Sequence, residues 1–362
     1  MPCCRHRNTA GDRARGAGFV PRRRGASLVE LMIGLALGML VLAAMAVLFA
    51  NNSAARGEIE RASQQIESGR FALQLLRDEI RLAGYFHDHP GGARQIADVC
   101  IPRGGVPLSA AALGWQASPP LLPLSLHGYA AGDTPATESC IANQKPDTDV
   151  LILRRVESGT MSVAGVAGDG YSNDYFLQVS ACADPAVDAP DEPTVVAPGG
   201  RSAAAAFALH AKDCVTPAPL RRLAVHAYYV GKCSVCSGGG DGVPSLRMVE
   251  LSGASASNVA VVEGIDAMRI EYALDTDDDG EIDAVKRCSK GADPCSAGDW
   301  SRVMGVRVHL LARSLTPSPG HMNTRTYDMG LAGTLAPPND RYRRHLYGAM
   351  VIAYNLAGPR ER

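Results

Sequence analysis

The sequence predicts an α+β chain: one long N-terminal helix laid against an antiparallel β-sheet head with long loops. Three observations lead there. Twenty residues without a charge, Leu31–Ala50, are followed by an apolar stripe that reaches Phe86 without meeting a proline. Beyond Phe86 the pattern changes to short β-type runs separated by Gly, Pro, Ser and Asp. Gly (38) and Pro (23) are plentiful, as a turn-rich head requires. With 46% hydrophobic and 20% charged residues over 362 positions, the chain is neither wholly disordered, collagen-like nor a polytopic membrane protein. Its 36 Lys+Arg against 37 Asp+Glu argue against a dedicated nucleic-acid binder.

Charge is unevenly placed. Residues 1–25 hold seven Arg and one acid, Asp12, so this segment is +6 and the remainder of a −1 chain is −7. A basic head before Leu31–Ala50 is the pattern of a targeting segment. At ~1.5 Å per residue the apolar run spans the ~30 Å hydrocarbon core of a bilayer. The arginines before it place the N-terminus in the cytoplasm and the body outside. A secretory signal with a cut near Ala44-Met45-Ala46, or a plain anchor, would explain the length. Neither explains Glu30, because a carboxylate inside an apolar helix costs a few kcal/mol unless it finds a partner.

The stretch around it reads Gly25-Ala-Ser-Leu-Val-Glu30-Leu-Met-Ile-Gly-Leu-Ala-Leu-Gly38. This resembles the class III signal of type IV prepilins. The resemblance implies that a dedicated peptidase cuts after Gly25 and methylates Ala26, where most family members have Phe or Met. Glu30 then falls on the family's glutamate at the fifth mature position. Cutting there creates an α-ammonium on Ala26, four residues before the carboxylate. A neighbouring subunit's ammonium can neutralise Glu30, and a buried pair of that kind fixes register. Gly34 and Gly38 add a small-xxx-small pair, which lets helices approach closely in lipid, although Gly and Ala are common in membrane spans anyway.

Past the span, Ile59, Ile66, Leu73 and Ile80 recur every seven residues, with Ala62, Gly69, Leu76 and Ala83 between them. Charged residues flank this stripe, so one helix of about sixty residues is expected to run from Ala26 to Phe86. Residues 67–86, Glu-Ser-Gly-Arg-Phe-Ala-Leu-Gln-Leu-Leu-Arg-Asp-Glu-Ile-Arg-Leu-Ala-Gly-Tyr-Phe, resemble the helix end of the PilW family of large minor pilins. The likeness covers residues 22–86 and returns from about Val262 to Ser314. It implies a type IV pilin-like layout: a leader over 1–25 that is removed, a transmembrane half-helix over 26–50, an amphipathic half over 51–86, and a periplasmic β-rich head over 87–362.

In the head, strands are expected near Asp149–Glu157, Tyr175–Ala181, Leu223–Val230, Ser245–Leu251, Ala267–Tyr272, Val303–Leu311 and Ala349–Tyr354. Residues 117–123 and 183–200 read as Pro/Ala loops, and Ala203–Ala211 as a short helix. Cys3 and Cys4 would leave with the leader. Eight cysteines remain: Cys100, Cys140, Cys182, Cys214, Cys233, Cys236, Cys288 and Cys295. In an exported head they read as up to four disulfides, whose connectivity the sequence leaves open among 105 pairings. Pairing in sequence order is the simplest arrangement, and Cys288–Cys295 closes a short loop.

Cys233-Ser-Val-Cys236 invites sharper readings. A redox-active pair is expected to open a helix, but Ser-Gly-Gly-Gly-Asp follows it. Zinc would need a second such pair or spaced histidines, so a local structural disulfide is the favoured reading. His87-Asp88-His89 reads as a solvated turn rather than a metal site. The run Asp275-Thr-Asp277-Asp-Asp279-Gly-Glu281-Ile-Asp283 has alternate acids followed by Gly, the arrangement that oxygen-seeking Ca²⁺ requires. Asp275, Asp277 and Asp279 would be side-chain ligands, Glu281 would offer its backbone carbonyl, and Asp283 would act directly or through water. Lys286 stands where an EF-hand needs its bidentate Glu, so this is a calcium-type loop between strands or simply an acidic hairpin turn.

No nucleophile–base set or phosphate-binding loop stands out, so a non-catalytic structural role is expected. The family resemblance implies a minor pilin that primes or caps type IV pilus assembly. Its implied partners are companion minor pilins of PilV and PilX type, the major pilin, prepilin peptidase, the inner-membrane assembly platform and a large tip adhesin. The implied location is the inner membrane, then the tip or base of a pilus. A GspJ-like pseudopilin of type II secretion is the first alternative, though such heads are usually much smaller. A membrane-anchored thiol oxidoreductase using Cys233 and Cys236 is the second.

Overall fold

The computed structural model describes residues 25, 27–86, 93–100, 110–111, 113–116, 121–172, 174–189, 194–252 and 255–358. Ala26, Cys3, Cys4 and the His87-Asp88-His89 turn lie outside the described residues. The chain divides into two compact units, Met1–Gly57 and Glu58–Arg362.

Helix α1 runs Leu28–Leu82 and, within the second unit, buries Gln65, Gly69, Ala72, Leu76 and Ile80. These steps of three and four residues line one helical face. Ile59 and Ile66, at the start of the expected stripe, are instead 70% and 45% exposed. The reason is geometric. At 3.6 residues per turn a seven-residue repeat rotates by about 20° each time, so the line from Ile59 swings into the buried face only at Ile80. The helix also stops four residues before Phe86. Gly84 takes φ +80, its N–H donates to the Arg154 carbonyl at 2.9 Å, and Asn355 Nδ2 donates to the Arg81 and Ala83 carbonyls.

Two short strands, β1 (Ala93–Gln95) and β2 (Leu121–Pro123), pair in parallel. Seven strands form the larger sheet: β3 (Leu126–Tyr129), β4 (Val150–Val156), β5 (Tyr175–Val179), β6 (Thr194–Pro198), β7 (Leu220–Gly231), β8 (Ser245–Ser252) and β9 (Ser255–Glu263). Strand β7 is its hub: its first residues pair with β5, its middle with β4 and its last with β8, all antiparallel. A second antiparallel sheet joins β10 (Ile265–Leu274), β11 (Ala284–Lys286), β12 (Val303–Arg313) and, after the small pair β13 (Tyr327–Asp328) and β14 (Thr334–Leu335), β15 (Arg344–Ile352). Its order is β11-β10-β12-β15. Three short helices are α2 (Ala203–Ala206), α3 (Ala297–Ser301) and α4 (Tyr354–Ala357).

Several elements differ from expectation. Strands β2 and β6 lie in stretches read as loops; β6 tolerates Pro198 because it is an edge strand, paired among the described residues with β5 alone. The helix after Ser202 ends at Ala206, because Phe207 and Leu209 turn inward to 3% and 8% exposure. Buried Gln178 holds that turn, accepting from Leu209 N–H and donating to the Leu209 and Ala218 carbonyls. Strand β9, unexpected in its polar Ser255–Glu263 sequence, is recruited by ladder bonds to β8. The last strand spans Arg344–Ile352 in register with β12, and Tyr354 opens α4.

Both sheets deliver side chains to the face of α1. Leu126, Leu151, Leu153, Tyr228 and Leu246 from the larger sheet meet Met268, Ile270, Tyr272, Val306, Val308 and Leu310 from the smaller one around Ala72, Leu76, Ile80 and Ala83. Small residues on α1 set the approach. A Cβ on Gly69 would run into the ring of Tyr347. The sheets are also locked by charge. Asp149, 2% exposed, accepts from the N–H of Ala131 and Ile270 and from the guanidinium groups of Arg269 and Arg287. Four donors on one carboxylate compensate its loss of water.

Glu79 on α1 reaches Arg155 on β4 at 3.1 Å and His226 on β7 at 2.8 Å. Burial raises its pKa, but the His226 hydrogen bond, the His226 charge and Arg155 outweigh that and hold it below the ordinary 4.5. A carboxyl depressed on folding contributes stability above its unfolded pKa, and that contribution is lost as pH falls through the folded value. The expected result is that Glu79→Gln lowers stability by about 1–3 kcal/mol near neutrality, with the gap to wild type closing as pH falls below 4.5. Urea unfolding at a series of pH values checks this.

Candidate assembly interface

The start of α1 is prepared locally. Ser27 Oγ accepts from Val29 N–H at 3.3 Å, and its carbonyl accepts from Leu31 N–H at 3.0 Å, so Ser27 caps the helix. Glu30 follows in the first turn, where the helix dipole favours a negative charge. Gly25 is exposed, and nothing stands within 4 Å of where its Cβ would be.

Every residue from Leu28 to Arg56 is exposed. That includes Leu28 at 74% and Phe49 at 77%. The helix is long and apolar enough to cross a membrane, and none of its most apolar window is buried in the chain. A shallow groove runs along it, lined by Glu30, Leu31, Gly34, Leu35, Gly38, Met39 and Leu42. Glu30, Gly34 and Gly38 are spaced four apart, so the carboxylate and both glycines share a face. Nothing lies within 4 Å of where a Cβ on Gly34 or Gly38 would stand, so another helix can come close to this backbone beside the carboxylate.

The eight cysteines pair in sequence order: Cys100–Cys140, Cys182–Cys214, Cys233–Cys236 and Cys288–Cys295. Their Cα separations of 4.8–5.2 Å are ordinary for disulfides. Sequence reasoning missed what surrounds the CxxC pair. Arg247, delivered from β8, donates to the carbonyls of Cys233 and Ser234. Asp241 accepts from the N–H of Ser234, Val235 and Val243. Only Asp241, just after the glycines, carried a local turn signal; Arg247 arrives through strand register.

The acidic loop joins β10 to β11. Carboxylate oxygens of Asp275, Asp277, Asp279 and Asp283 all lie within 4.8 Å of one another. Asp275 is fully buried and accepts from the N–H of Asp278, Asp279 and Gly280. Asp283 accepts from Thr276, and the Glu281 side chain stands outside the cluster. The Asp277 carboxyl is pushed up, first by lost hydration and then by its neighbours Asp279 and Asp283. Four hard oxygen donors converging on one point fit a calcium ion in donor type.

Comparison with known proteins agrees at both ends of the chain. Residues 227–355 match the family described as Type IV Pilus-assembly protein W. Residues 20–46 match the prokaryotic N-terminal methylation motif. Among solved structures, a type IV-like pilin from Thermus thermophilus is similar at 12% identity and a TM-score of 0.35, over 81% of this chain and 97% of that one. No curated protein sequence matches. A methylation motif thus leads into an uncovered apolar helix, and the PilW match runs from β7 to α4, so the chain is similar at both ends to PilW-type minor pilins of type IV pili.

Proposed function

We propose that this protein is a minor pilin that primes or caps pilus assembly, in a non-catalytic structural role. The carrying observation is Glu30, exposed on an apolar helix and sharing a face with Gly34 and Gly38. In this reading the leader is removed after Gly25 by prepilin peptidase and Ala26 is methylated. The protein waits in the inner membrane with its N-terminus cytoplasmic and its head periplasmic. A neighbouring pilin then supplies its terminal ammonium to Glu30, giving an ion pair whose low-dielectric surroundings strengthen it and whose position sets the stagger of the two helices. Companion minor pilins of PilV and PilX type, the major pilin and the assembly platform are the partners, with a tip adhesin beyond them. The large head supports a place at an end of the fibre over repeated places along its shaft.

N-terminal mass spectrometry of the protein purified from membranes is expected to find N-methylated Ala26 as the first residue. A retained leader, or a chain starting after Ala46, overturns the reading. Glu30→Ala is expected to leave cleavage and head folding intact while fibre counts fall to those of a strain lacking the protein. Normal fibre numbers with that variant would refute the proposed pairing.

The acidic loop supports a calcium ion as a structural cofactor, held by Asp275, Asp277, Asp279 and Asp283 with the Glu281 carbonyl. Binding would neutralise the clustered carboxylates and stiffen the β10–β11 turn. For a site of extracellular affinity, about 1 mM Ca²⁺ is roughly ten times a Kd of ~0.1 mM, worth about 1.4 kcal/mol. A rise in Tm of roughly 2–5 °C is expected, absent in D277N/D279N. An equal response to Mg²⁺, or none to either ion, rejects calcium.

A further inference from the structure

We propose that Cys233–Cys236 is a thiol-exchange site that accepts two electrons from a dithiol, with Arg247 holding the Cys236 thiolate. This is independent of the assembly reading, which turns on Glu30. Three observations carry it. First, the loop is pinned without its disulfide. Asp241 takes three backbone N–H groups on one side, at 2.8–3.0 Å, and Arg247 Nη1 donates to the Cys233 and Ser234 carbonyls at 3.0 and 2.8 Å on the other. Opening the S–S bond therefore leaves both sulfurs side by side.

Second, the same Arg247 Nη1 lies 3.6 Å from Cys236 Sγ. Arg247 is 9% exposed, and its remaining partners are neutral: Asn258 Oδ1 and the Asn258 carbonyl. No carboxylate forms a salt bridge to it among the described residues. A buried guanidinium without a counter-ion favours a thiolate beside it. The two acids that face the loop bond to its other groups and not to Arg247: Asp241 accepts from the backbone groups named above, and Glu263 from the Ser234 hydroxyl at 2.7 Å.

Third, access and chain topology single out this bond. Cys236 is partly exposed beside Val235, which is 61% exposed, while Cys233 is buried at 6%. The pair spans only 3 positions, against 40, 32 and 7 for the other three disulfides. Closing so short a loop removes the least entropy from the unfolded chain, so opening it threatens the fold least.

The step balances as follows. A thiolate of the dithiol attacks Cys236 Sγ and forms a mixed disulfide, while the Cys233–Cys236 bond breaks and its electron pair leaves on Cys233. The second thiolate of the dithiol then attacks its own sulfur in the mixed disulfide. This closes the dithiol's disulfide and expels Cys236 as a thiolate next to Arg247. The dithiol is oxidised and the protein reduced. Of the two protons released, Cys233 takes one and solvent the other.

The test uses the full chain in detergent, titrated with dithiothreitol, trapped with N-ethylmaleimide and read by peptide mass spectrometry. Cys233 and Cys236 are expected to be trapped at ten-fold or more lower reductant than the other six cysteines, with the circular dichroism spectrum unchanged. Iodoacetamide labelling of reduced Cys236 should be half-maximal below pH 8.5. Arg247→Gln should move that midpoint up by about one unit, and Arg247→Lys should retain most of the effect. If Arg247→Gln fails to fold, the wild-type and Arg247→Lys profiles still decide. Reduction no easier than at the other pairs, opening only on unfolding, or an ordinary midpoint in wild type overturns the proposal.

Discussion

The head depends on one contact surface, the buried face of α1 from Gln65 to Ile80. Both sheets donate to it, so neither has a complete core without the helix. The face works because it alternates bulk with its absence. Leu76 and Ile80 fill space between the sheets, while Gly69 and Ala72 let β15 and its Tyr347 come close to the helix backbone. Close packing of this kind tolerates little change in volume. Polar contacts then fix the helix along and around its axis. Glu79 is tied to Arg155 and His226, Gln65 to the Ala312 carbonyl, and the last turn to Asn355 of α4.

The same helix lives under a different rule before Gly57. There its apolar residues stand uncovered. An apolar helix of this length is unfavourable in water and natural in a lipid core or among other such helices. Its one carboxylate sits on the face with the two glycines, where a second helix can approach most closely. Length, apolarity, charge and smallness thus converge on a single strip of surface, and the methylation-motif match covers that strip.

Between the strands, the loops are held more by polar chemistry than by apolar burial. Asp149 gathers two arginines and two backbone donors where β4 meets β10, and Asp241 closes the CxxC loop. Glu138 does the same near Cys100, accepting from the N–H of Val99 and Cys100 and from the Tyr129 hydroxyl. Each replaces the water lost from a carboxylate by several directed donors, which also satisfies backbone groups that irregular chain would otherwise leave unpaired. Disulfides add covalent limits at the same places, and together they let a head with few aromatic residues keep long connections ordered.

The elements legible in the sequence were those whose signal is local. The uncharged run, the methylation motif around Glu30, and the strands of strong β character such as Val150–Val156 and Val303–Arg313 all follow from composition and spacing along a few turns or a few residues. Strand β9, the early end of α1 at Leu82, the exposure of Ile59 and the placement of Arg247 against Cys236 were not legible. Each is decided by partners distant in the chain: β8 for β9, Arg154 and Asn355 for the helix end, the sheets for the buried face. By itself the amino-acid order determined that a membrane-length apolar helix leads into a β-rich head, because hydropathy and charge act over neighbouring residues. Which face of that helix becomes core, and which charges meet inside the head, only the tertiary structure decided, because close packing and ion pairing depend on atoms that the linear chain keeps far apart.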